Sequence, residues 1–259
     1  MQLVVVDVES TGLEDTDQVC ELALVTLGVE SSTKDRGKDW KDKWQVTGAW
    51  SSLVKPSCPI SIPARATHHI TDAELKDARS MPGLLLKRGF PEFGVTSTGG
   101  PLVSDPIFCA HNAEFDRRML VQSGVHPSLL PAKTICTWRC ALHLYPDSPG
   151  HSNQVLRYYL EVEPETTLGV SLPHRALPDA LVTAAILCRM LELESAERLV
   201  ELTSTPVLLS KVSFGQHRGK YWRDLDVGML RWVLSKDFKE DEKFTAKYWL
   251  DEKTGCGNG

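Results

Sequence analysis

From Gln2 to Val8 the chain is a nearly unbroken apolar run, QLVVVDV, and a second such run extends from Val19 to Leu27. Runs of this length, rich in valine and leucine, read as buried strands. Ser10, Thr11 and Gly12 separate them, so the two are expected to pair as a hairpin. Residues 28–48 are polar and charged around KDRGKDWKDKW and read as a surface insertion, with a third strand near 49–54. Residues 59–63 read as extended. HHITDAEL then reads as a turn entering a helix, with Thr71 as N-cap and Glu74 at capping-box distance. A Gly/Ser/Thr/Pro-rich loop covers 94–105, and Pro106 to His111 reads as a short buried strand. Asn112 opens a helix with Phe115, Met119 and Leu120 on one face. Residues 152–160 read as helical and 166–172 as a polar connector. Pro178 to Glu194 is the strongest helical pattern, with Leu181, Ala184, Ala185, Cys188 and Leu191 at core spacing. Strands first, then helices alternating with one more strand, predict an α/β layer structure on a mixed sheet.

The pattern restarts after Thr203. Pro206 to Ser213 reads as strand-like, FGQHRGKYWRDL as a glycine-punctuated basic turn, and GMLRWVLSKD as a helix. The expected organisation is a main domain over 1–203, a small α+β module over 206–252 and a tail at 253–259. A chain of 259 residues with 42% hydrophobic and 24% charged positions can bury a full core. Its net charge of −5 excludes a protein that coats nucleic acid through bulk positive charge. No apolar run is long enough to span a bilayer and no charged leader precedes LVVVDVE, so no membrane partner is expected. Seven dispersed cysteines without a paired CxxC spacing fit reduced thiols and a cytoplasmic location.

Three short stretches carry the candidate chemistry. In VVVDVESTG, Asp7 and Glu9 are two apart, so a strand points both to one side, at the end of an apolar run. Two ionised carboxylates beside a core are costly without a counter-charge, and a hard cation such as magnesium or manganese supplies one. A solvated strand end is the plain alternative. In AHNAEFD, Phe115 anchors the helix that aims Asp116, which as a lone acid would also favour the helix dipole. In HRALPDA, Asp179 falls in the first turn of the long helix and His174 precedes it in the connector. Histidine is the side chain best suited to take a proton from water near neutral pH.

The order DxExTG, HNxxFD, HRAxxDA resembles the DEDDh exonucleases, the DnaQ-like group that includes proofreading subunits of bacterial DNA polymerase III. The HxIT of HHITDAEL adds to the resemblance, which covers about residues 1–199. It implies an RNase H-like mixed sheet flanked by helices and a 3′-to-5′ exonuclease that releases nucleoside 5′-monophosphates by a two-metal mechanism. Asp7, Glu9, Asp116 and Asp179 would hold two Mg²⁺ ions, for which Mn²⁺ could substitute, and His174 would be the general base. Thr11, Gly12, Leu13, His111 and Asn112 would bind the terminal nucleotide. Leu13 would press on the last base, or else is a plain core leucine. The C-terminal Gly215, Gly219, Lys220, Trp222, Leu225 and Trp232 are similar to the C-terminal region of exodeoxyribonuclease X-like proteins. There Arg218, Lys220, Trp222 and Arg223 are candidate nucleic-acid contacts, unless the aromatics form a small core. Trp40 and Trp44 carry the same two readings, a loop anchor or a stacking patch. DNA is the expected partner. An exoribonuclease acting on RNA and a catalytically silent nucleic-acid-binding module are the alternatives, and protein partners are not legible.

Overall fold

The structure, a computed structural model, describes residues 2–29, 44–93, 95–96, 105–164 and 174–255. The strands are β1 (Gln2–Ser10), β2 (Val19–Val29), β3 (Trp44–Leu53), a short ribbon of β4 (Gly89–Phe90) with β5 (Val95–Thr96), β6 (Pro106–Ala110) and β7 (Thr134–Cys136). Five of them form one mixed sheet in the order β3-β2-β1-β6-β7. The central strand, β1, is antiparallel to β2 and parallel to β6. The β6 ladder stops at Val5, so beyond that point β1 is open on one side. Open α/β sheets form their crevices where the connection changes direction in this way.

The helices are α1 (Ile62–His68), α2 (Met81–Arg88), α3 (Ala113–Gln122), α4 (Thr137–Leu144), α5 (Asn153–Tyr159), α6 (Ala176–Leu191), α7 (Ala196–Ser204), α8 (Val227–Leu234) and α9 (Glu240–Thr254). The period-two alternation of β1 divides the core. Leu3 and Val5, with Ala23, Val25 and Leu27 of β2, pack against Ala180, Ala184 and Leu187 of α6. Val4, Val6 and Val8 face the other way, with Leu22, Leu24 and Phe108, toward Met119 and Leu120 of α3. Small alanines on α6 let the helix lie close to the sheet, and ten of its side chains are buried.

Several expectations are corrected. Gly28 and Val29 end β2, and Trp44 to Gly48 open β3, so the insertion contracts to 30–43, which with Trp40 lies outside the described residues. Trp44 pairs with Val29 and packs on the α6 side of the core, as an anchor. The helix expected after Thr71 is a turn instead. Thr71 and Glu74 do exchange capping-box bonds, with Thr71 N–H donating to Glu74 Oε2 at 2.8 Å, but no helix continues them. The helix precedes that turn: Ile62 opens α1 with Pro63 in its first turn, capped by Ser61, where an extended segment was expected. The polar connector expected at 166–172 lies outside the described residues.

The chain after Ser204 surrounds a separate apolar cluster of Val212, Trp222, Leu225, Leu230, Val233 and Ala246. Residues 206–213 are not a strand, and their β content is a single bridge between Lys211 and Tyr221. They lie against α9, where Val207 N–H donates to Asp241 Oδ1 (2.8 Å) and Leu209 N–H to Thr245 Oγ1 (2.9 Å). Arg139 of α4 fixes this segment to the sheet domain. Its guanidinium grips the Asp241 carboxylate and donates to the Thr205 carbonyl at 2.7 Å. Trp222 is fully buried, with Nε1–H donating to the Lys211 carbonyl at 3.1 Å, so it is core and not a nucleic-acid contact. Arg218, Lys220 and Arg223 are exposed.

Trp222→Ala is therefore expected to destabilise the C-terminal segment by about 3–5 kcal/mol, the usual cost of a buried tryptophan cavity. Hydrogen exchange of the α8 and α9 amides, against those of β1, measures it. Protection unchanged in α8 and α9 would contradict this core assignment.

Candidate active site

Asp7 and Glu9 extend the Leu3–Val5 row of β1, so they share the sheet face that α6 covers. A register shift in the β1–β2 ladder falls between Glu9 and Ser10, where a bulge turns the strand out of the sheet. Asp179 comes down from the first turn of α6 onto the same spot. One carboxylate oxygen from each of Asp7, Glu9 and Asp179 lies within 4.8 Å of the other two. Asp116 is not in this triplet. It enters from α3, buried at 4% exposure, and after burial its charge is the largest influence on Asp7. Three elements that are distant in sequence thus deliver four carboxylates to the open end of β1.

The electrostatics follow from that crowding. Burial pushes the Asp7 carboxyl well above its usual range, and repulsion from Asp116, Glu9, Asp179 and Glu21 adds to it. Glu9 is raised to about 8 by burial, then by Asp179 and Glu21, with Arg175 opposing. Asp116 is raised by burial, partly offset by the backbone N–H groups of Asp116 and Val8. Asp179 is also raised by burial, against which His174 and Gln154 act.

Residues that the motif reading passed over hold the cluster in place. Glu21 of β2 stands opposite Glu9 and is buried. It accepts two bonds from Arg175, from Nε and Nη2 at 2.8 Å each, and a third from Ala176 N–H at 3.0 Å. That fork ties the start of α6 to the sheet. The sequence signal for Glu21 is one acid inside the apolar run VCELALV, and Arg175 stood unremarked inside HRALPDA. On the other flank, Asn153 Nδ2 donates to the Asp179 carbonyl (3.1 Å) and Gln154 Nε2 to Asp179 Oδ1 (3.3 Å).

His174 is exposed, in the left-handed region at φ 60°, and its N–H donates to Asp179 Oδ2 at 3.1 Å. The backbone of the expected base is thereby fixed to an expected metal ligand while the ring faces solvent. His111 is placed differently. Its Nε2–H donates to the His151 carbonyl and Nδ1 accepts from the Thr137 hydroxyl, both at 2.9 Å. Burial lowers its pKa to about 4, so it stays neutral and braces the wall of the site. Asn112 is exposed at φ 73° at the start of α3.

The loop after β1 is shaped from within. Thr11 is fully buried, its hydroxyl donating to Asp17 Oδ1 (2.6 Å) and accepting from Gln18 N–H (3.0 Å), so it supports the loop and does not face the cleft. A Cβ at position 12 would stand 2.4 Å from Asp17 Oδ2, so any residue but glycine would displace the carboxylate that Thr11 and the Glu14 N–H hold. Leu13 at the tip is 72% exposed, so it is not a core leucine, and its carbonyl accepts from Arg118 at 3.2 and 3.3 Å.

Residues 4–187 match the family model described as Exonuclease, RNase_T. The chain is 30% identical over 214 residues to Exodeoxyribonuclease 10 of Escherichia coli (strain K12), covering 80% of this chain and 87% of that protein. It is 28% identical over 193 residues, 74% of the chain, to 12% of a PolC-type DNA polymerase III of Caldanaerobacter subterraneus. Among solved structures it is similar to Exonuclease X in complex with 5′ overhanging duplex DNA, with a TM-score of 0.57 and 28% identity over 78% of this chain and 99% of that one. The nuclease domain of 3′hExo, a DEDDh family member, shares the fold, with a TM-score of 0.53 and 16% identity over 74% of this chain and 92% of that one. With the motifs, the mixed sheet and the carboxylate cluster in place, the chain belongs to the RNase_T exonuclease family and is a DnaQ-like 3′-to-5′ exonuclease.

Proposed function

We propose that the exonuclease acts on DNA 3′ ends, with Asp7, Glu9, Asp116 and Asp179 as the ligands of two magnesium ions and His174 as the general base. The observation that carries this reading is the convergence of four carboxyl groups at the end of β1 with no lysine or arginine among the described residues paired to them. The nearest arginine, Arg175, is already committed to Glu21. Carboxylates raised by burial and mutual repulsion suit hard divalent cations, which relieve both. Bound there, such cations polarise the phosphodiester and acidify water. The protein's own groups do the rest. The His174 ring takes the proton from water, Asp179 holds the His174 backbone in place, and Leu13 presses against the terminal base.

DNA as substrate is supported by the relative named as an exodeoxyribonuclease and by the similar structure in complex with duplex DNA. We divide the chain into an exonuclease domain over 1–203 and a substrate-holding module over 206–252. No described helix is long and apolar enough to cross a membrane, and the six described cysteines are free, which supports a cytoplasmic setting.

Asp7→Ala should abolish 3′ shortening of a 5′-labelled oligodeoxynucleotide in magnesium while leaving the circular dichroism spectrum unchanged. His174→Ala should lower kcat by about 10²–10⁴-fold, the usual worth of a positioned base, with metal affinity largely retained. Full-rate cleavage by either variant would remove that residue from its role. A matched RNA oligonucleotide in the same gel tests the sugar, and faster RNA shortening would reject the DNA assignment.

Glu21→Gln should cost about ten- to a hundredfold in kcat, through displacement of the start of α6, with a much smaller effect on KM. A kcat equal to wild type would show that the fork does not position the site.

The metal reading also sets a pH dependence. The Glu9 carboxyl, ordinarily near 4.5, sits near 8 in the fold, so between these values the folded state binds more protons than the unfolded one. Stability then falls as pH rises toward 8. Buried His111 acts oppositely, but only between about 4 and its ordinary 6.5. In a chelator, Tm should therefore drop between pH 6.5 and 8. Millimolar magnesium should raise Tm increasingly with pH over that window, because binding needs ionised carboxylates. A Tm that climbs with pH in the chelator would contradict the assignment.

A further inference from the structure

A cleft of about 680 Å³ separates the C-terminal segment from the sheet domain. One wall is the end of α4 and the turn after it, from His143 to His151, and the other is the segment from Val207 to Lys211 with Tyr221, Arg223 and Trp249. Its size falls in the range of ligand-binding clefts. The walls meet where the Ser210 hydroxyl donates to the Pro146 carbonyl at 3.4 Å, and the Arg139–Asp241 pair holds them at a fixed spacing.

The chemistry of the lip is specific. Tyr221 is 42% exposed and carries two cations against its ring, Arg223 Cζ at 4.6 Å and Lys211 Nζ at 5.6 Å from the centroid. Lys211 makes no ion pair among the described residues, and Arg223 has only a long contact of 3.9 Å to its neighbour Asp224. The bridge between Lys211 and Tyr221 fixes the ring and one cation together. An exposed aromatic flanked by unneutralised cations is the combination that stacks a base and holds its phosphates. Asp147 is the one acid in the lining, in a chain whose net charge is −5.

One wall of the cleft is also bonded to the proposed active site. His151, on its wall, receives the His111 bond, and the chain passes at once into Ser152 and α5. Gln154, three residues on, donates to Asp179. This wall of the cleft is thus tied to the carboxylate cluster through His151 and α5.

We propose that this cleft binds the single-stranded stretch of the substrate just 5′ of the nucleotide being removed, a base stacking on Tyr221 and phosphates pairing with Lys211 and Arg223. This rests on the DNA reading given above. Duplex DNA, or a partner protein, would use the same surface with a different dependence on strand length.

The test is a series of oligodeoxynucleotides of roughly three to twelve nucleotides, read by kcat/KM in magnesium and, in parallel, by fluorescence anisotropy. Wild type, Tyr221→Ala, Tyr221→Phe and Lys211→Ala/Arg223→Ala are compared. The ratio of wild type to Tyr221→Ala should grow with length to about tenfold, the worth of one lost stacking contact. Tyr221→Phe, which keeps the ring, should follow wild type. The double cation variant should flatten the salt dependence of binding by about 1.4 in log–log slope, the value for two phosphates on a single strand. Ratios independent of length, or an unchanged salt slope, would overturn the proposal. The anisotropy series reads the cleft whether or not the strand is cut. A wild type that binds but does not cleave DNA would instead refute the DNA exonuclease reading.

Discussion

Repulsion among carboxylates is the constraint around which this molecule is arranged. Asp7, Glu9, Asp116 and Asp179 converge at the one place where β1 has lost its β6 neighbour, and Glu21 adds a fifth acid beside them. Isolated ionised carboxylates in such burial would be prohibitive. The fold tolerates them because the framework that brings them together is bound elsewhere. The β1–β2 ladder runs without interruption up to the bulge at Glu9, and α6 is held down by its apolar face. Arg175 bonds to Glu21 and only opposes the rise at Glu9, so on the metal reading proposed above the four carboxyl groups are left for cations. A second arginine in the cluster would stabilise the fold and spoil the site.

The same arrangement explains what the sequence could and could not disclose. β1, β2 and α6 were legible because their side chains are buried on regular periods. Two of the three motifs lie at the end of β1 and the start of α6, the third where β6 passes into α3. β3 was misjudged at its start because an edge strand is wetted on one side. From Trp44 to Gly48 its residues are mostly half-buried or exposed, so they resemble the polar insertion before them. The short α2 carries Pro82 and Gly83 near its start and gives little periodicity to read. Residues 206–213 have the alternation of a strand, but the Val207 and Leu209 amides bond to the side chains of Asp241 and Thr245 on α9. Only Ser210 and Val212 bond to backbone, in the turn that holds Gly219, Lys220 and Trp222. Alternation reports burial on one side; it does not report what supplies the hydrogen bonds.

Within the site, the carboxylates were legible and their supports were not. A motif read as spaced letters picks out the groups whose chemistry is conspicuous, and here these are the carboxylates that cluster. Glu21, Gln154 and Thr11 matter through a bond to something else, and that is invisible until the partner is placed. Trp222 shows the converse. Beside lysine and arginine in sequence it has the look of a stacking residue, yet its indole closes a small core and leaves the adjacent Tyr221 at the surface.

That substitution of one aromatic for its neighbour bears on how an acidic chain receives a polyanion. On the reading proposed above, the carboxyl groups at the end of β1 offer a strand no attraction until cations bind, and two nearby arginines are engaged, Arg175 with Glu21 and Arg118 with the Leu13 loop. Attraction must come from farther along the strand. Among the described residues, the C-terminal segment carries exposed cations without a close ion pair at Lys211, Arg218, Lys220 and Arg223, two of them against the Tyr221 ring. The Arg139–Asp241 pair joins that segment to α4, and α4 begins at the Thr137 that braces His111, so the proposed strand cleft and the carboxylate cluster are linked through one helix. If the strand is held there as proposed, strand and scissile end share one frame, and less of the attraction is spent on ordering the protein.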